Sequence, residues 1–313
     1  MAFIPVIEKC AGINNKLDIK SIRGESVQSG ITDLAEGVNV DIDDAWKISV
    51  RLGQEEVAEG TCHSIYCAGP GMDCYAAKDT TTTAIHQVSE SFTIGSAIVS
   101  GLTLGADLSW ARMGNRYYYT NGYEKGYVAD GVSGAWPTNA LKSISKKKVI
   151  SPAPTGEHLA YWMGRMWISL VDGGVPVIYG SLLYREASFV KALHRFQYSS
   201  RIRMMRPIGN GMFVSDEEKT YFIQGARLLK DFTQTVVQSF PAHEWSDNQT
   251  LVDLSKTHLQ LPGLCAVWSS DEGQCIGTPD GQVIVDTKDK LFYPSGTMGA
   301  TVVADNILIN SVY

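Results

Sequence analysis

The chain has 313 residues, 44% of them hydrophobic and 19% charged, with a formal net charge of −6; this is globular composition and excludes a disordered chain. No apolar stretch approaches the roughly 20 residues of a membrane helix, and the opening MAFIPVIEKCAG lacks the basic region and long apolar core of a signal peptide. A protein that coats nucleic acid is also excluded, because phosphate neutralisation needs clustered cations and the one compact run is Lys146-Lys147-Lys148, read as a solvated loop.

In chain order, residues 1–37 read as an N-terminal extended arm and 38–313 as a single domain. Val38, Val40 and Ile42 alternate with Asn39, Asp41 and Asp43, and a turn at Asp43-Asp44 leads into Trp46–Val50, which predicts a hairpin. From residue 60 a unit recurs: strand, glycine turn, strand, Asp/Asn/Gly turn, strand. Its copies begin at His63–Cys67, Leu108–Ala111, Leu159–Trp162, Ile202–Met205 and Leu264–Trp268. The anchor glycines 71, 114, 164, 209 and 273 are 43, 50, 45 and 64 residues apart. That period matches one β-propeller blade, a sheet that hides both faces only by stacking against its neighbours.

The expected fold is therefore all-β, a β-propeller of about six blades, with five to seven fitting the same spacing. The closing blade is expected to be shared by N- and C-terminal strands, the 38–50 hairpin meeting Ala300–Ala304 and Ile307–Ile309. Loop insertions are expected near 138–158 and 226–262.

Recognisable enzyme chemistry is missing: there is no G-x-S-x-G elbow, P-loop, dinucleotide-binding fingerprint or H-E-x-x-H. The expectation is no enzyme, with no catalytic, cofactor-binding or metal residues and no cofactor. Cys62, His63, Cys67 and Cys74 lack paired C-x-x-C spacing, so the cysteines read as small buried hydrophobes of a reducing cytoplasm. Asp41, Asp43 and Asp44 lack the glycine and final glutamate of a calcium loop. Glu217-Glu218 reads as an exposed turn, and Ser269-Ser270-Asp271-Glu272-Gly273 as a blade hairpin that partly matches the sialidase-type Asp box. Asn248-Gln249-Thr250 is a formal glycosylation sequon, read as idle. The six histidines, 63, 86, 158, 194, 243 and 258, show no ligand spacing, and the strand aromatics read as blade core.

The most distinctive text is Gly12-Ile13-Asn14-Asn15-Lys16, then Thr32–Asp44, then Arg51-Leu52-Gly53. It resembles the opening of a family of bacteriophage virion proteins, the β-propeller tail nozzle or tail hub (packaged-DNA stabilisation) type. That family runs G-[IL]-N-N, D-L-x-x-x-x-N-V-D-x-D and R-x-G; Ser109–Gly122 is similar to its first full blade. The strong part covers about residues 10–125, and the family's R-R-P-G phrase departs here to Arg51-Leu52-Gly53.

The resemblance implies a structural component of the virion tail or neck, assembled in the host cytoplasm. It implies a symmetric ring, hexameric in related short-tailed phages, in contact with other copies of itself and with neighbouring tail and adaptor proteins. Such a ring retains and releases DNA; a mildly acidic wall suits passive contact with genomic DNA. No membrane segment is expected. The alternative expectation is a propeller receptor- or glycan-binding tail protein.

Overall fold

A computed structural model describes residues 10–13, 32–34, 40–42, 48–50, 61–69, 71–91, 93–138, 143–145, 148–225, 231–252, 263–285, 295–304 and 307–312. Its regular elements are all strands. No helix among the described residues is long and apolar enough to cross a membrane.

Near the N-terminus, β1 (Cys10–Ile13) and β2 (Thr32–Leu34) pair in parallel, and β3 (Val40–Ile42) and β4 (Ile48–Val50) form the expected antiparallel hairpin. The Asp43-Asp44 turn lies outside the described residues.

Five blades follow. The first holds β5 (Cys62–Cys67), β6 (Cys74–Asp79), β7 (Thr83–Val88) and β8 (Ile94–Leu102). The second holds β9 (Ser109–Met113), β10 (Arg116–Thr120), β11 (Lys125–Ala129) and β12 (Val132–Ala135). A two-stranded piece, β13 (Ser143–Ser145) and β14 (Lys148–Val149), lies inside the stretch expected as a loop insertion at 138–158. Blade three has β15 (Leu159–Trp162), β16 (Arg165–Asp172) and β17 (Val175–Leu182), its fourth place split between β18 (Arg185–Phe189) and β19 (Arg195–Gln197). Blade four runs β20 (Ile202–Ile208), β21 (Gly211–Asp216), β22 (Thr220–Gln224) and β23 (Thr233–Gln238). Blade five runs β24 (Asn248–Val252), β25 (Gly263–Ser270), β26 (Gly273–Gly277) and β27 (Val283–Val285). A last hairpin, β28 (Gly299–Ala304) and β29 (Ile307–Val312), packs beside β24.

The stacking that makes these sheets a propeller is visible in four apolar cores, each shared by consecutive blades. Tyr75 and Ile85 of blade one meet Trp110, Tyr117 and Val128 of blade two. Tyr118 then meets Met166, Ile168 and Tyr179 of blade three. Trp162, Trp167 and Ile178 meet Ile202, Met212 and Val214, and Phe213 and Phe222 meet Trp268 and Cys275. The sheets of blades two, three and four are thus buried on both faces, which a lone sheet cannot achieve. Burial falls off outward: every residue of β21 is buried, whereas β23 at the outer edge is mostly exposed. Short, polar outer strands such as β23 (TQTVVQ) are how a propeller limits edge-to-edge pairing.

One expectation is corrected. In the fifth repeat, Leu264–Trp268 lies in the second strand, β25, and not the first, which is β24. The 226–262 stretch, expected as the end of one blade plus an inserted loop, contains β23, the last strand of blade four, and β24, the first of blade five.

Candidate functional site at the upper end of the propeller axis

First strands of all blades run the same way, so the propeller has two ends. The upper end, as used here, is where first strands begin and second strands finish; the lower end carries the first-to-second and third-to-fourth turns. Antiparallel register fixes this placement, for example Ser109 opposite Thr120 and Ile202 opposite Asp216.

At the upper end, hydroxyls tie blades one, two and four to the segments leading into the next. Thr83 Oγ1 donates to the Thr103 carbonyl (2.9 Å) and accepts from Gly105 N (3.2 Å). Thr120 Oγ1 does the same with Gly156, donating to O (2.6 Å) and accepting from N (3.2 Å). Ser215 Oγ accepts from Ala242 N (2.8 Å), while Thr220 Oγ1 donates to Phe240 O (3.1 Å). Nearer the axis, Ser64 Oγ accepts from Leu108 N and Ser109 Oγ from Leu159 N, both at 2.8 Å. Asn121 and Asp216 close the adjoining turns, each side-chain oxygen accepting two backbone N–H groups.

Three of the six histidines converge on this end, each beside a carboxylate, although their sequence spacing shows nothing. His63 lies between Asp79 (Nε2–Oδ1 3.2 Å) and Asp107 (Nδ1–Oδ1 3.3 Å). His243 Nε2 is 2.9 Å from Asp271 Oδ1. His158 Nε2 is 3.5 Å from Glu244 Oε1, and Trp245 covers its ring at 4.4 Å between centroids. Arg201 binds both Glu244 oxygens (3.2 and 2.8 Å) and Glu157 (2.9 Å), so one guanidinium links the leads into blades three, four and five. Burial works against the charge on Arg201, but Glu244 and Glu157 override it and hold its pKa above the ordinary value.

Ser64, His63 and Asp79 superficially repeat a nucleophile, base and acid, with Ser64 Oγ 2.8 Å from His63 Nδ1. The chemistry does not follow. The hydrogen bond with Asp107, with help from Asp79, raises the His63 pKa against the opposing effect of burial, so the two carboxylates hold the ring between them. Ser64 Oγ is moreover engaged by Leu108 N and lies 3.3 Å from Asp107. Ser64 (φ 52°) and Trp245 (φ 66°) both occupy left-handed backbone, a costly conformation for side chains of their kind. What this end does is bind blades together, because every blade delivers at least one carboxylate: the half-buried Asp79, Glu124 and Glu157, the buried Asp216 and the exposed Asp271 among them.

The remaining residues weighed in the sequence are also placed. Glu217 and Glu218 are exposed in the β21–β22 turn, and Ser269–Gly273 forms the β25–β26 turn. Asn248 is half-buried and donates to the Thr301 carbonyl (3.2 Å). The strand aromatics Trp110, Tyr117, Tyr118, Tyr119, Trp162 and Trp167 are core. Among the described residues no group of His, Cys, Asp or Glu is arranged to hold a metal ion. Asp43, Asp44, Lys146, Lys147 and His258 lie outside them.

The cysteine expectation needs correction. Cys67 and Cys74, directly opposed across β5 and β6, form a disulfide (Cα–Cα 4.3 Å), and Cys62 is only half-buried. Cys265 and Cys275 are free and buried as expected; burial pushes the Cys275 thiol up to about 12.

No protein-family model and no curated protein matches the chain. Among solved structures it is similar to an auxiliary nutrient binding protein from Bacteroides ovatus, with 8% identity over 74% of this chain, 61% of that one and a TM-score of 0.46. A second auxiliary nutrient binding protein, from Bacteroides thetaiotaomicron, is 11% identical over 67% of this chain and 53% of that one, with a TM-score of 0.42. The β-propeller domain of Cps50 (Swd1) from Myceliophteria thermophila is 9% identical over 82% of this chain and 98% of that one, with a TM-score of 0.39. The chain spans about three fifths of the length of the first of these proteins. At these values the likenesses say nothing about function.

Proposed function

We propose that the chain is a structural component of a bacteriophage virion, a tail nozzle, hub or head-to-tail conduit protein that assembles as a symmetric ring. The observation that carries this proposal is the agreement between text and fold. Ser109–Gly122, similar to that family's first full blade, contributes the β9–β10 hairpin of a complete four-stranded blade, which here is the second. The β3–β4 hairpin likewise lies within the phrases around Val38–Asp44 and Arg51–Gly53 that resemble the family's opening.

A shared closing blade belongs to the same proposal. Asn248 reaches the Thr301 carbonyl as Ser109 reaches Leu159, which supports β28 as the first strand of a sixth blade. Glu244 supports the same placement, its N–H donating to Thr297 O and its carbonyl accepting from Gly299 N, both at 2.8 Å. In this proposal β3 and β4 supply the outer half. A formal net charge of −6 suits a surface past which DNA moves without adhering, since like charges repel.

Gradient-purified particles from cells that encode the chain provide the test. The protein is expected in them at a fixed ratio to the other tail proteins. Its absence from particles, with the protein abundant in the lysate, overturns the proposal.

A further inference from the structure

The innermost strands of the five blades, β5, β9, β15, β20 and β24, carry permanent charge of one sign. Although the chain has 33 Asp and Glu against 27 Lys and Arg, no carboxylate stands on any of these strands. Their permanently charged side chains are Arg112, Arg203 and Arg206. Two of these gather with Tyr66 at the lower end of the axis. Tyr66, Arg112 and Arg206 each stand near the end of a first strand, opposite Tyr75, Tyr117 and Phe213 of the second. Burial raises the pKa of the Tyr66 hydroxyl, and the charges of Arg206 and Arg112 oppose that rise; no carboxylate of the described residues acts on it. Side chains of blades one, two and four thus face one another across the axis.

The group is held firmly and is short of acceptors. The Tyr66 ring stacks on Trp110, 5.7 Å between centroids and 13° between planes, and the Arg112 guanidinium lies over the Tyr117 ring at 5.8 Å. Arg206 is anchored by Asp247, which accepts from Nε at Oδ2 (2.6 Å) and from Nη2 at its backbone carbonyl (3.0 Å); Nη1 is left uncommitted. Arg112 makes no hydrogen bond or ion pair with any described residue, and its Nε is buried without a partner. A buried donor without an acceptor is costly, and a half-buried guanidinium with no counter-charge adds to that cost. An anion with several acceptor oxygens removes both costs. We propose that the lower end of the axis binds a small oxyanion of the phosphate class, gripped by Arg112, with Tyr66 Oη and Arg206 Nη1 as further donors. Planar guanidinium forks and a hydroxyl, delivered from three blades, suit the oxygens of a tetrahedral anion better than a spherical chloride. The anion ties blades one, two and four at the end opposite the hydroxyl ties. This proposal does not depend on the virion reading.

Isothermal titration calorimetry of the full chain with sodium phosphate, at ionic strength held constant with sodium chloride, tests it. Wild type is expected to bind phosphate at a single saturable site, and its melting temperature to rise with phosphate but not with chloride. Arg112→Gln is expected to weaken phosphate binding about tenfold or more, as loss of a charge-assisted hydrogen bond does. Arg112→Lys keeps the charge without the planar fork and is expected to fall between the two. Tyr66→Phe removes one neutral donor and is expected to weaken binding a few-fold. Arg185→Gln, on an exposed turn of blade three, is expected to bind as wild type does. Methyl phosphate separates two sources of such an anion: equal affinity points to a phosphate monoester, much weaker affinity to the free anion, and both support the site. Phosphate that gives neither heat nor a shift in melting temperature overturns the proposal. So does phosphate affinity unchanged in both Arg112→Lys and Tyr66→Phe, the mild variants that decide the matter if Arg112→Gln does not fold.

Discussion

Thr120 ends β10 with no exposed surface, and its hydroxyl satisfies both the N–H and the carbonyl of Gly156. Valine keeps the shape but strands the Gly156 N–H, because Gly156 O still accepts from Gly122 N at 2.7 Å, and a buried group without a partner costs about 1–3 kcal/mol. Thr120→Val is expected to lower the unfolding free energy by about 2 kcal/mol, read from the urea midpoint. Wild-type behaviour would mean that water or a backbone shift replaces the tie. His63 links blades one and two through charge. Its pKa is raised in the folded protein, so its contribution is complete below the unfolded value of 6.5 and is lost as pH climbs through the folded value. Asp79, lowered first by the Thr83 hydroxyl, contributes above its unfolded value of 3.8 and less as pH falls. The tie is therefore strongest between those values. The melting temperature should fall above pH 6.5 in wild type and fall less in His63→Gln, and parallel curves for the two would contradict this. These residues were barely legible in the sequence. The turns at Asn121-Gly122 and Asp216-Glu217 stand out in the text, but the hydroxyls just before them, Thr120 and Ser215, do not. A Ser or Thr followed by Asn or Asp at a second strand's end is the signal that could have found them.

Elements were more legible, because alternation and turn residues are local. First and second strands of four blades fall where strand, glycine and strand recur in the text. The fifth slipped by one strand because its first strand, NQTLV, is five residues long with little apolar content. Cys67–Cys74 was misread for a different reason: opposition across β5 and β6 depends on register and on the length of the intervening turn, and spacing alone does not encode it. A disulfide there fits an oxidising exterior, virion surfaces included, better than permanent residence in a reducing cytoplasm. Packing between blades gives a sharper test. A Cβ on Gly277 would stand 2.4 Å from Phe213 of blade four and 2.7 Å from Trp268 of its own blade. Gly277→Ala is expected to destabilise by about 1–3 kcal/mol, the usual range for overpacking a tight core. An unchanged denaturation midpoint would show the core between blades four and five to be looser than described.

For the whole molecule, five blades stack through four shared apolar cores. Blade rhythm was legible as spacing; the proposal of a phage tail protein rests on the text around residues 10–125, and periodicity contributed nothing to it. The central claim is thus a position in a particle. It is tested most directly by electron microscopy of particles carrying a labelled copy of this chain. The account predicts label at the tail or neck, in a closed ring around the axis of DNA exit. Particles without label, or label scattered over the head, would contradict it.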